Sequence, residues 1–230
     1  LGLISTVVAW RFLPHDEDEL FKSETKNPEN ELLTGGWSQL KQIMTPILIT
    51  LFGMIFVASF GLAGFESIYS LYVNEVHNFD LNAIALVLTL NGIISLILQV
   101  FFFDRLVRWL GEVRLMRYSF FLSLVGTIMV IYDHNHWHII IATLFVFEAF
   151  DMLRPTITTL LTKMSKTNQG LLNGVIMSLT SVGNIIGPLI SGYLLDVNYQ
   201  YPYWFVSIFL IISWVITLVL GRERKAATND

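Results

Sequence analysis

No cysteine occurs among the 230 residues, so neither a disulfide framework nor a thiolate metal site is available. Charge is scarce as well: Asp, Glu, Lys and Arg make up 14% of the chain, where soluble domains carry about 25%. A soluble globular class is therefore excluded on composition. The phosphate-binding pattern G-x-x-x-x-G-K-[ST] is absent, so direct ATP hydrolysis is not expected. No Gly-x-Gly-Asp occurs either, which argues against an intramembrane aspartyl protease. Lys and Arg are missing from three whole connections, 74–80, 133–136 and 195–202. With a net charge of −4 and no basic run of any length, nucleic acid is not an expected partner.

What is present is long apolar sequence. Hydrophobic residues make up 54% of the chain, and the mean hydropathy is positive. A bilayer core of about 30 Å needs roughly 20 helical residues. The runs 46–73, 81–103, 115–132, 137–160, 171–194 and 203–220 meet that length or approach it, which predicts six crossings of an all-α membrane protein. Thirteen of the fourteen basic residues lie in or beside 14–45, 104–117, 161–170 and the tail. The positive-inside rule places those segments in the cytoplasm, with the C-terminus on the same side. Arg154 is the exception.

Residues 1–13 are too short to span and have no basic residue ahead of them, so they are expected to be the end of a preceding helix rather than a leader. The polar, acidic stretch within 14–45 predicts a flexible cytoplasmic linker. Residues 46–221 form the expected six-helix domain, and 222–230 its cytoplasmic tail. This arrangement fits the second half of a twelve-helix transporter built from two six-helix halves. A weak internal echo, "AGFESI" at 63–68 and "EAFDML" at 148–153, puts an acid on the first helix of each triplet, as an inverted 3+3 repeat would.

Those acids are the chief functional candidates. By helical rise, Glu66 lies roughly 10 Å below the outer boundary and Asp151 roughly 21 Å below it. A charge at the centre of a membrane helix costs about 2.5–3.5 kcal/mol on insertion scales, so its retention is a functional signal. A carboxyl that exchanges protons with a water-filled cavity is the part a proton-coupled carrier needs. Ser59, Ala63, Glu66 and Ser70 share one helical face, and Phe147, Asp151, Arg154 and Thr158 share another; Glu148, one turn from Asp151, is expected either as a further cavity charge or facing the outer water vestibule. Both faces are expected to line a cavity. Phe52, Phe56, Phe65, Phe147 and Phe150 offer aromatic surface for a flat cation or for packing. An Asp151–Arg154 ion pair is the structural alternative, and Pro155 predicts a local kink there.

Two further stripes stand out. Gly170, Gly174 and Ser178, then Gly183, Gly187 and Ser191, recur every fourth residue and predict close helix approach, with Gly187–Pro188 as a flexible point. Asn91, Ser95 and Gln99 form a polar stripe on 81–103, readable as interhelical contact or as cavity wall. The loop "DHNHWH", 133–138, reads as an interfacial turn, and no metal site is expected.

At 104–111 stands D-R-x-x-R-x-x-G, with Asp104, Arg105 and Arg108. It resembles the second copy of the inter-helix loop motif of the major facilitator superfamily, although Val100 stands where that motif opens on glycine. Together with "GLAGFESIYSLY", "FDMLRPTIT" and "QGLLNGVIMSLTSVGNIIGPLISGYLLDV", residues 46–220 resemble the C-terminal half of NorA-type multidrug exporters, which are drug–proton antiporters. The resemblance implies a six-helix half of a twelve-helix plasma-membrane transporter. It implies proton coupling at Glu66 and Asp151, a cavity arginine at Arg154, and no cofactor beyond the coupling proton. An N-terminal six-helix half, lipophilic or cationic drugs and the lipid bilayer are the implied partners. Glu148 departs from the pattern, which is apolar there. The alternatives are a proton-coupled nutrient importer of the same fold, or a non-transporting membrane sensor or orphan half.

Overall fold

The computed structural model describes residues 44–133, 135–164 and 169–226, with side chains to 221. The helix end expected at 1–13 and nearly all of the linker expected at 14–45 lie outside the described residues, as does the end of the tail. Seven α-helices follow in order: α1 Pro46–His77, α2 Leu81–Ile97, α3 Phe103–Leu110, α4 Glu112–Tyr132, α5 His136–Met164, α6 Gln169–Val197 and α7 Tyr201–Ala226. A π-helical turn, Leu98–Phe102, joins α2 to α3, so the two form one long rod.

The helix ends follow from local chemistry. Thr45 caps α1 by accepting from the Leu48 amide at 3.4 Å, and Pro46 fills the first turn, where no amide partner is needed. The helix ends at Asn78, which takes the left-handed conformation at φ 54° and donates its amide to the Val73 carbonyl. Asp80 then accepts from the Leu81 amide at 2.8 Å and starts α2. Gly111, at φ 76°, makes the sharp break before α4.

The helices start within a few residues of the predicted spans, while α1, the α2–α3 rod, α5 and α7 run four to seven residues beyond their predicted ends. Six crossings were expected. Five helical spans are long and apolar enough to cross a membrane: α1, the α2–α3 rod, α4, α6 and α7. The remaining helix, α5, has the length at 29 residues but carries Glu148, Asp151 and Arg154 in its middle. It runs through Pro155 without a break in the helix.

The core is built between α1, α4, α5, α6 and α7. Phe65 of α1 meets Phe147 of α5 edge-to-face at 5.3 Å and Tyr203 of α7 at 5.2 Å. Tyr72 meets Tyr203 at 4.5 Å, and all four rings are buried. The outward faces are apolar instead: Leu86, Ile93, Leu96, Ile185, Leu189 and Ile212 are exposed, as lipid-facing side chains are. Exposed Tyr132, Trp137, Tyr199 and Tyr201 gather at the helix ends whose connections lack Lys and Arg, and Trp109 is exposed at the opposite end. Aromatic belts of this kind mark the two membrane interfaces. At the Trp109 end, the Lys163 ammonium pairs with the buried Glu112 carboxylate and ties the end of α5 to the start of α4. Arg117 reinforces that end by donating to the Thr217 carbonyl of α7 at 3.0 Å. At the other end His138 Nδ1 lies 2.9 Å from Asp133 Oδ2, and His136 Nε2 lies 2.8 Å from the His77 carbonyl, which holds the 133–138 turn in place.

Candidate functional site

In the middle of α5, Asp151 is half-buried and turns toward α2. Its Oδ2 accepts a hydrogen bond from Ser95 Oγ at 2.7 Å, and Ser95 Oγ accepts from Gln99 Nε2 at 3.0 Å. The polar stripe of α2 is thus the partner of the α5 acid. Asn91, one turn before Ser95, holds its side-chain oxygen buried with no hydrogen-bond partner in the same helix. The π-helical turn begins after Ser95 and encloses Gln99, the last member of the stripe. Such turns insert one extra residue and re-aim the following side chains.

The Asp151–Arg154 ion pair does not form among the described residues; Arg154 is exposed, and Asp151 is held by a neutral hydroxyl. Pro155 has no amide to offer the Asp151 carbonyl, which loses its usual helical partner beside the acid. Thr158 is half-buried and accepts through its backbone carbonyl from Thr162.

Glu148 does not share that environment. It is 8% exposed, and neither carboxylate oxygen has a hydrogen-bond partner among the described residues. It lines a groove of about 450 Å3 between the α2–α3 rod, α4 and α5, and neither Asp151 nor Ser95 is among the lining residues. Glu148, expected either in the Asp151 cavity or at an outer water vestibule, and Asp151 therefore open on different surroundings. What differs is the neighbour each acid meets: Ser95 reaches Asp151, while Ile94, Leu98 and side chains of α4 surround Glu148.

The expected α1 face divides. Glu66 and Ser70 are exposed, and Glu66 has no hydrogen bond to Asp151. Ser59 is a correction: it is buried and donates to Thr180 of α6 at 3.4 Å, so it belongs to a helix contact and not to a cavity wall. Ala63 likewise sits against Gly187. The reason is the glycine stripe. A Cβ built on Gly183 would lie 2.9 Å from the Phe60 amide, and one on Gly187 would lie 2.6 Å from the Phe60 carbonyl. Close approach of α1 and α6 takes up the small residues of both helices. Of Gly183, Gly187 and Pro188, read from the sequence as a packing or hinge element, the two glycines face the α1 backbone. Gly170 and Gly174 face open space. Phe147 is corrected too: it packs on Phe65 and Tyr69 in the core, and Phe52, Phe65 and Phe150 are also buried. At the end of the rod, Asp104, Arg105 and Arg108 are exposed, and no ion pair among the described residues joins them.

A family comparison decides the class: residues 51–230 match the model for the Major Facilitator Superfamily. The chain belongs to the Major Facilitator Superfamily. Its similarity to curated members is substantial. It is 38% identical over 205 residues to the multidrug resistance protein 1 of Bacillus subtilis (strain 168), covering 88% of this chain and 53% of that protein. It is 32% identical over 231 residues to the quinolone resistance protein NorA of Staphylococcus aureus (strain COL), covering 100% of this chain and 57% of that protein. The chain thus spans about half the length of the curated relatives it matches. Membership in this superfamily and the apolar helices make it a multi-pass membrane protein.

Ser95 is the site residue whose role the sequence left open between contact and cavity wall. The signal was its position in a polar i, i+4, i+8 stripe on an otherwise apolar helix. Ser95→Ala is expected to lower stability by only about 0.6 kcal/mol, the average for an interhelical hydrogen bond in a membrane. Thermal unfolding in detergent measures it, and a large loss would show that Ser95 is mainly a structural tie.

Proposed function

We propose that the chain is the C-terminal half of a proton-coupled multidrug exporter of the plasma membrane. Its substrates are lipophilic, often cationic drugs, moved by alternating access in exchange for protons. The observation that carries this reading is the partner of Asp151. A carboxylate locked to an arginine must break an ion pair to take up a proton. Asp151 is held by the Ser95 hydroxyl, which donates to a carboxylate and accepts from a carboxylic acid by rotating its hydrogen. Such a contact supports both protonation states and favours neither conformation through a fixed charge. Similarity to a multidrug resistance protein and a quinolone resistance protein supports the substrate class.

In this mechanism the deprotonated acids, Asp151 and Glu66, accompany drug loading from the inside. Protonation from the outside follows drug release and lets the empty carrier return. Coupling requires only that proton and drug favour different states of one two-state element. An N-terminal six-helix half supplies the facing wall, joined through the 14–45 linker. The six helices here form an inverted 3+3 repeat, with the C-terminus cytoplasmic as the placement of Lys and Arg supports. Asp104, Arg105 and Arg108 act at the inner loop, and Gly187–Pro188 lies in the rocking pair of helices. No cofactor other than the proton is required, and no enzymatic step.

The test uses the chain joined to its N-terminal half, in everted vesicles energised to an acidic interior. Added ethidium or a quinolone should raise lumenal pH, read by a quenched dye, as protons leave in exchange. Drug binding without proton release would overturn the antiport reading.

A further inference from the structure

Glu148 plays no part in the Asp151–Ser95 contact, and its surroundings are specific. It is more than nine-tenths buried, and both carboxylate oxygens lack a partner among the described residues. The groove it lines is otherwise almost wholly apolar. Ile94 and Leu98 form one wall, Tyr118 and Leu122 of α4 another, and Leu144 and Phe145 flank the acid on α5. No Lys, Arg or His is among its lining residues. An ionised carboxylate in such surroundings calls for a counter-charge.

The dimensions fit a small molecule. The lining of α5 runs from Ile141 to Met152, about 16 Å along the helix. The volume of about 450 Å3 lies within the range of about 300–1,000 Å3 typical of ligand sites. Tyr118, Ile141 and Phe145, within α4 and α5, line the groove and are themselves exposed. We propose that this groove is a second ligand site, separate from Asp151, that takes a lipophilic monocation from the bilayer with Glu148 as its counter-ion. Tyr118 and Phe145 supply aromatic faces for the same cation.

The site goes beyond the proposed antiport, which needs only Asp151, Ser95 and Glu66. Photolabelling with ethidium monoazide, a planar monocation, tests it on the chain joined to its N-terminal half in lipid nanodiscs. Peptide mapping should place label on the segments around Tyr118 and Phe145. Glu148→Gln, which keeps the size of the side chain, should reduce that label at least about tenfold, because it removes one partner of a desolvated charge pair. Glu148→Asp should retain part of it, and Asp151→Asn, which removes a second negative charge near Glu148, should lower it far less than Glu148→Gln does. Leu144→Trp, which fills the groove, should abolish it. Unchanged labelling in Glu148→Gln, or its loss in Asp151→Asn, would overturn the proposal. Vesicles that release protons on drug addition while the groove stays unlabelled would remove this site and leave antiport standing.

Discussion

Asp151→Asn is expected to abolish drug-evoked proton release while leaving a folded transporter that still binds drug. The amide has the size of the carboxylate and still accepts from Ser95 Oγ, so the α2–α5 contact survives. What it loses is the exchangeable proton. An acid in an ion pair would behave differently, since its removal would leave Arg154 unpaired and lower stability. Arg154 is exposed and makes no ion pair with Asp151, so stability is expected to change by less than about 1 kcal/mol. Two measurements check this on the chain joined to its N-terminal half: lumenal pH in everted vesicles and the unfolding midpoint in detergent. Proton release at the wild-type rate in Asp151→Asn would remove Asp151 from the coupling step. A large fall in midpoint would return it to a structural role. Glu66→Gln belongs in the same series. Glu66 is exposed on α1, so its loss is expected to leave the fold of this half intact as well.

The helices were legible in the sequence because an apolar run of membrane length has few alternatives; the caps at Thr45–Pro46, Asp80 and Gly111 came from the structure. The orientation of side chains was less so. Helical spacing places Ser59, Ala63, Glu66 and Ser70 on one side, yet it does not say which neighbour that side meets. The small members of the stripe were claimed by the glycines of α6, and the outer members were left exposed. On α5, Glu148 and Asp151 were legible as intramembrane acids, but their separation into two environments depends on where α2 and α4 pack. The π-helical turn had no sequence signal, since Leu98–Phe102 is as apolar as its flanks except for Gln99. Periodicity gives faces; packing assigns them.

Gly187→Ala is expected to destabilise the fold by about 1–3 kcal/mol, the cost of overpacking a well-filled contact. The added methyl would stand 2.6 Å from the Phe60 carbonyl and 2.9 Å from the Gly64 amide. Both obstacles are backbone, so no side-chain rotation relieves them and α1 and α6 must part. Separation would also lengthen the Ser59–Thr180 hydrogen bond, already 3.4 Å, and loosen the contact of Gly64 with Ser191. Gly174→Ala is the internal control. It lies on the same helix, and a methyl there meets nothing within 4 Å. Relief of glycine's backbone entropy should then stabilise the helix by about 0.5–1 kcal/mol. One chemical change on one helix thus carries opposite expected signs, set by the neighbour alone. Unfolding midpoints of the two variants in detergent decide it: equal shifts would mean that the glycine stripe does not set the α1–α6 distance. Because α1 carries Glu66, the same Gly187→Ala change should reduce proton release beyond what the loss of folded protein explains. Release that tracks the folded fraction alone would confine Gly187 to packing.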